Sequence, residues 1–258
     1  MLVCKMPDGT PEIHSALQGE GISMGEPCVF FRFSSCPLSC VFCDSFFTWH
    51  FEGRQKVDHK YSKPVKREDY VVELTAEEAA NLIKEKAGLT RRIVFTGGEP
   101  LLQQDAIAEI LEILWREDSW YVEIETSGTI KLDPDLKISQ INCSPKLESS
   151  GNAKELRDRP EVINDFLERA KKEEGYWKPE LIFKFVIGKE TFEEDLKEVQ
   201  EWQAKYNVPN SMVYLMPEGI TETDIKEGTD FLLGVCMEKG YKLSTRLHVL
   251  LYGNKRGT

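Results

Sequence analysis

Cys36, Cys40 and Cys43 stand in the spacing C-x3-C-x2-C within Cys36-Pro37-Leu38-Ser39-Cys40-Val41-Phe42-Cys43. Thiolates at such short spacing can hold an iron–sulfur cluster, which in its ordinary [4Fe–4S] form takes four of them. No fourth lies nearby, so one iron would stay open to another ligand, as in catalytic metal sites. The same three with His50 or His59 could instead hold zinc. A chance cluster of structural cysteines is the third reading. A second chemical segment is Thr96-Gly97-Gly98-Glu99-Pro100, after the apolar run Ile93-Val94-Phe95. Its glycines permit close approach of backbone to a ligand. Glu99 adds a carboxylate suited to an ammonium group, and Pro100 stiffens the exit.

Both segments need strands behind them. Cys28-Val29-Phe30-Phe31-Arg32-Phe33 predicts a buried strand running into the cysteines, and Arg92–Thr96 one running into the glycines. Tyr121–Thr126, Gln140–Ser144, Leu181–Ile187, Met212–Met216 and Thr245–Leu251 read as further strands. Thr75 and Glu78 have capping-box spacing, Ala79, Leu82, Ile83 and Ala87 follow, and Gly88 can stop that helix. Ile107, Ile110, Leu111 and Leu114 mark one face of the next. Helices are expected over residues 160–174, 191–206 and 221–239, with Thr191 and Glu194 again in box spacing. This alternation predicts an α/β fold with a parallel sheet of about seven strands, a full or partial barrel. In such folds the loops after the strands carry the chemistry. No repeat and no Gly/Ser-rich linker divides the chain. Residues 1–258 are therefore expected to form one domain, with a cysteine loop at about 34–50 and an irregular segment at about 51–74.

The 258 residues carry 33 Lys and Arg against 44 Asp and Glu, a net charge of −11 at pH 7. That disfavours nucleic acid as a partner. With 41% hydrophobic and 30% charged residues the chain reads as globular rather than disordered. No apolar run reaches the ~18 residues of a membrane span. Met1-Leu2-Val3-Cys4-Lys5 does not open a secretory signal, so a reducing cytoplasmic setting is expected, where disulfides are rare. Cys4, Cys28, Cys143 and Cys236 are scattered and read as small buried apolar residues.

The cysteine spacing, the aromatic Phe42 before the third cysteine and the TGGEP segment, each after a strand, resemble the radical S-adenosylmethionine superfamily. The resemblance implies a partial or modified (β/α)6 barrel. It also implies a [4Fe–4S] cluster on Cys36, Cys40 and Cys43, and S-adenosylmethionine on the open iron. The rest of the chain is similar to one family within it, the 7-carboxy-7-deazaguanine synthases. That likeness rests on His14-Ser15-Ala16-Leu17-Gln18-Gly19-Glu20-Gly21, Cys43-Asp44-Ser45, Ser144-Pro145-Lys146, Leu215-Met216-Pro217-Glu218, Arg246-Leu247-His248 and the ending Gly253–Thr258. It spans about residues 13 to 258.

That family contracts the ring of 6-carboxy-5,6,7,8-tetrahydropterin to 7-carboxy-7-deazaguanine with loss of ammonia, a lyase reaction of queuosine and deazapurine biosynthesis. The resemblance places Phe42, Cys43, Asp44, Gly98, Glu99, Ser144, Pro145, Lys146, Met216, Pro217 and Glu218 along S-adenosylmethionine, with Glu99 as partner of its amine. It places Leu17, Gln18, Gly19, Glu20, Arg32, Thr96, His248 and Thr258 at the pterin, and Ser45 on Mg²⁺. Beyond these cofactor and substrate ligands it assigns no catalytic residue. It further implies a flavodoxin or ferredoxin donor and a homodimer. The alternatives are another small radical enzyme, such as a glycyl-radical activase, and a zinc-stabilised binding module.

Single residues also admit plainer roles. Gln18 and Glu20 could cap a turn. Arg32 on an apolar strand needs a partner, which could be a structural carboxylate. His14 and His248 could be core or surface histidines. Glu123 and Glu125 share a strand face that could line the barrel mouth or form salt bridges. Glu193, Glu194 and Asp195 suit a helix N-terminus. Trp49 and Trp177 could be core residues or interface anchors.

Overall fold

Along most strands, side chains alternate between an apolar face and a polar one, and this alternation lays out the molecule. The computed structural model describes residues 1–54, 57–171 and 178–258. Its elements are β1 Leu2–Cys4, β2 Ile13–Leu17, β3 Pro27–Phe33, α1 Arg67–Tyr70, β4 Val71–Glu73, α2 Ala76–Ala87, β5 Arg92–Gly97, α3 Gln104–Trp115 and β6 Tyr121–Thr126. They continue with β7 Gln140–Cys143, α4 Lys154–Arg157, α5 Pro160–Ala170, β8 Glu180–Ile187, α6 Phe192–Tyr206, β9 Val213–Pro217, α7 Glu222–Lys239, β10 Lys242–Leu243 and α8 Leu247–Tyr252.

One sheet runs in the order β10-β9-β8-β7-β6-β5-β3-β1-β4, with β2 also paired to β3. The stretch from β3 to β10 is parallel, while β1, β2 and β4 join antiparallel. The sheet stays open, a partial barrel. Ile93 and Phe95, Val122 and Ile124, Ile141 and Cys143, Phe183 and Phe185, and Val213 and Leu215 face the outer helices in one apolar core. Arg32, Thr96, Glu125, Asn142, Lys184 and Met216 line a cavity on the other face. Parallel strands usually bury two apolar faces; here one surrounds a polar cavity.

The expected strands from Cys28 to Met216 and the helices at 76–87, 191–206 and 221–239 form within a residue or two. Three short antiparallel strands, β1, β2 and β4, went unpredicted. The expected strand Thr245–Leu251 is not formed. The chain pairs with β9 only at Lys242 and Leu243. Ser244 then donates to the Leu215 carbonyl, Arg246 turns inward, and Leu247 opens α8. A short apolar run does not distinguish strand from helix by periodicity. Residues 172–174 of the helix expected at 160–174, and Trp177, lie outside the described residues. Trp49 is buried.

Thr75 and Glu78 make the expected capping box. Thr191 and Glu194 do not, because the Thr191 hydroxyl donates to Asp195 (2.7 Å). Thr221 makes an unpredicted box with Asp224. Among the described residues no helix is long and apolar enough to cross a membrane, and all seven cysteines are free, with Cys4, Cys28, Cys143 and Cys236 buried. Thr75→Ala should cost about 0.5–2 kcal/mol in urea unfolding, and Thr191→Ala should not show this cap loss.

Candidate active site

The chain leaves β3 at Phe33 and turns into the cysteine loop. Ser35 has a φ of 85°. Its amide donates to the Thr48 carbonyl and its own carbonyl accepts from the Glu99 amide, both at 2.8 Å. The glycine segment packs against this stem. Gly97 has a φ of 137°. A Cβ there would overlap the Phe33 carbonyl, and one on Gly98 would overlap the Ser35 carbonyl and come within 3.0 Å of the Cys36 Cβ. The close approach expected toward a ligand is thus made first to neighbouring backbone, and it fixes where Cys36 sits.

Glu99, the expected partner of the S-adenosylmethionine amine, is held by the protein on several sides. Its carboxylate is fully buried and does not line the cavity. It accepts from Thr126 Oγ1 (2.8 Å), the Ser127 amide (2.8 Å), Ser127 Oγ (2.5 Å) and the Leu101 amide (3.2 Å). Burial nevertheless pushes its carboxyl up.

Cys36, Cys40 and Cys43 all line one cavity of about 270 Å³. Burial raises each thiol above its ordinary value, Cys43 to about 12. Such thiols need a cation beside them to become ligating thiolates. Asn152 Nδ2 donates to Cys40 Sγ (3.2 Å), and the Ser39 amide donates to Asn152 Oδ1 (2.8 Å). His50 and His59 do not join the thiols; their rings lie 5.2 Å apart and neither lines the cavity. Among the described residues no three His, Cys, Asp or Glu side chains gather as a site for a single ion. Three soft donors around an open space fit a cluster better than the zinc set.

The opposite wall is charged. Glu20 pairs with Lys184 and, at 3.1 Å, with Arg246 Nε. Arg246 also pairs with Asp44 and donates to the Gly219 carbonyl (2.6 Å). Burial opposes ionisation of Glu20, but the Lys184 ammonium and the Arg246 guanidinium outweigh it and hold the carboxyl well below its ordinary range. Gln18 is buried, and its Nε2 donates to Glu123 (2.6 Å) and Glu125 (3.3 Å). Glu125 also accepts from Thr96 Oγ1 (2.8 Å), while Glu123 binds Asn142 (2.5 Å) and Arg92 (3.2 Å). The pair divides between its two readings: Glu125 lines the cavity, while Glu123 is salt-bridged to Arg92.

Arg32 has its structural carboxylate, Glu12 (Nε–Oε1 2.7 Å), which also pairs with Arg256. Its Nη1 reaches Ser45 Oγ at 3.3 Å, so its other edge lies on the cavity side. His14 stacks on Phe30 at 5.7 Å, and burial with the nearby Arg32 charge pushes it down to about 4. Lys146 holds Ser144 through its carbonyl (2.6 Å) and hydroxyl (2.8 Å). Glu218 is tied to Lys60 (2.8 Å) and Tyr61 (2.9 Å), which bring the irregular segment to the rim.

The cavity thus gathers Leu17, Gln18, Glu20, Arg32, Phe42, Cys43, Asp44, Ser45, Thr96, Gly98, Ser144, Lys146, Met216, Pro217, Glu218, His248 and Thr258. Glu99 and Pro145 are not on its wall. Nor is Gly19, where a Cβ would overlap His248 Nδ1. Lys184, Asn152 and Glu12 were not foreseen, and Arg246 stood in the motif Arg246-Leu247-His248 without a role. A lysine within Leu181-Ile182-Phe183-Lys184-Phe185 is the same signal that marked Arg32, and it could have been read.

A match to the Radical SAM superfamily spans residues 31–232. The 7-carboxy-7-deazaguanine synthase of Halobacterium salinarum is 30% identical over 94% of this chain and 90% of its own. The chain belongs to the radical S-adenosylmethionine superfamily and, within it, to the 7-carboxy-7-deazaguanine synthase family. The synthase of Pyrobaculum aerophilum is 29% identical over 95% of both chains. The crystal structure of QueE from Escherichia coli superposes with a TM-score of 0.64 at 21% identity, covering 96% of this chain and 95% of that one, a likeness of fold.

Glu20→Gln should cost about 3–5 kcal/mol at pH 7, because it leaves Lys184 and Arg246 short of a buried partner. The contribution of a carboxyl whose folded value is depressed is present above its unfolded value of about 4.5 and is lost below it. Urea titrations should therefore show the difference from the parent shrinking as the pH falls below about 4.5. Gly98→Ala should displace the Cys36 stem and lower both unfolding midpoint and iron uptake.

Proposed function

We propose that this protein converts 6-carboxy-5,6,7,8-tetrahydropterin to 7-carboxy-7-deazaguanine with release of ammonia. The observation that carries the reading is one cavity shared by three thiols and by Gln18, Glu20, Arg32 and His248, in a chain of the synthase family. The same relatives favour it over a glycyl-radical activase.

Cys36, Cys40 and Cys43 would hold a [4Fe–4S] cluster, with Phe42, Asp44, Gly98, Ser144, Lys146, Met216, Pro217 and Glu218 along S-adenosylmethionine. When bound, these groups supply a 5′-deoxyadenosyl radical by reductive cleavage. The chain's own residues bind and shield. The cavity-side edge of Arg32, which also meets Ser45, suits the pterin carboxylate, since a guanidinium matches its planar geometry. Gln18, Thr96 and His248 offer polar contacts, and Leu17, Phe30, Phe42, Phe47 and Trp49 supply apolar wall that excludes water. Ser45 Oγ is the oxygen suited to Mg²⁺, which takes few protein ligands and completes its shell with water and substrate. Thr258 lines the same cavity, which supports its place at the substrate. Glu99 acts through Ser127 and Thr126, holding the wall in place. The chain would work as one domain in the cytoplasm, as a homodimer reduced by a flavodoxin or ferredoxin, and feed queuosine or another deazapurine.

The test is anaerobic turnover of reconstituted protein with reductant, S-adenosylmethionine, Mg²⁺ and the tetrahydropterin, read by mass spectrometry. Deazaguanine exceeding deoxyadenosine is expected; deoxyadenosine alone would refute the substrate. Arg32→Lys should keep deoxyadenosine formation while deazaguanine falls about 10- to 100-fold, the weight of a charge-assisted hydrogen bond of about 1.5–3 kcal/mol.

A further inference from the structure

The three cysteines are not equivalent in their surroundings: the Trp49 side chain hydrogen-bonds Cys43, and Cys40 is served by a different donor. Cys40 receives a side-chain amide: Asn152 Nδ2 lies 3.2 Å from its Sγ. The orientation of that amide is decided by its other end. The Ser39 backbone N–H donates to Asn152 Oδ1 at 2.8 Å. An N–H needs an acceptor, so the oxygen must face Ser39 and the NH2 group must face the sulfur. The second N–H of the same group is met by Ser150 Oγ at 3.1 Å.

Asn152 is itself held from behind. Its carbonyl accepts from Arg157 Nε (3.2 Å). Arg157 is buried, donates to the Lys146 carbonyl (3.0 Å) and pairs with Glu198 of α6. Glu198 in turn accepts from the Glu148 amide (2.7 Å). The Ser150 carbonyl accepts from the Val41 amide (3.1 Å), which ties this loop to the cysteine loop a second time. The loop is braced independently of the Asn152 side chain, so the amide is free to serve the sulfur.

We propose that Asn152 is a positioning residue that donates an N–H···S hydrogen bond to the Cys40 thiolate and thereby raises the reduction potential of the cluster on this loop. The inference rests on the cluster reading above. A donor at a ligating sulfur withdraws negative charge from it. The reduced cluster carries one more negative charge, and a hydrogen bond to an anion strengthens with that charge. Hydrogen bonds to the sulfurs are among the levers that set the potential of such clusters. Asn152 would therefore make the one-electron reduction easier without touching substrate.

The experiment uses reconstituted full-length protein, titrated redox-wise and followed by electron paramagnetic resonance, with iron content measured for each sample. Asn152→Leu should shift the midpoint potential to more negative values. Glu198→Gln, which loosens the brace but keeps the amide, should leave the potential near that of the parent. Parent protein labelled with ¹⁵N-asparagine should show a weak nitrogen coupling in the spin-echo spectrum of the reduced cluster, and Asn152→Leu should lack it. An unshifted potential in fully loaded Asn152→Leu would overturn the role. So would equal shifts in both variants, or a labelled parent without the coupling, which decides the matter even if the leucine variant does not fold. A parent chain that assembles no cluster at all would overturn the cluster reading itself, and this role with it.

Discussion

Charge buried on the concave face of the sheet has to be paired, and most of the site follows from that requirement. A carboxylate taken out of water costs several kcal/mol unless a cation and good hydrogen bonds offset it. Glu20 lies between Lys184 of β8 and Arg246 before α8, and Arg246 continues to Asp44 beside the third cysteine. One line of alternating charge therefore joins the segment after β2, the far side of the sheet, the C-terminal helix and the cysteine loop. None of these can shift far without leaving a buried ion alone. Glu12, shared by Arg32 and Arg256, makes a second such node nearer the antiparallel strands.

The backbone supplies the complementary constraint. Gly97 and Gly98 let β5 end in contact with the stem that carries Cys36. The cysteine loop is thus placed by steric fit at one end and by the Asp44–Arg246 pair at the other. Glu99 belongs to this scaffold, since it fastens the exit of β5 to the exit of β6 through Thr126 and Ser127.

The core strands were legible because each alternates or forms an apolar run bounded by helix signals. The antiparallel strands were not: β1 and β4 have three residues each, too few for a period to show. The end of the chain misled because Leu247–Tyr252 is apolar enough for a strand, while β9 offers pairing only as far as Leu243. Most ligand positions could be named from motifs. The pairings behind them could not, because Glu20 and Arg246 stand 226 positions apart. Asn152 gave no signal at all: its meaning lies in a loop brought to Cys40 by the fold. Glu99 shows the converse, a motif residue whose side chain turns into the protein.

An open sheet also has borders. One border is β4, three residues long, and the other is β10, two residues long. The longer β2 lies against α2, where the Ser15 hydroxyl donates to the Lys86 carbonyl. Short or covered borders offer little unpaired backbone on which a strand from another molecule could add. Among the described residues, the incomplete barrel that leaves room for ligands therefore exposes little strand edge.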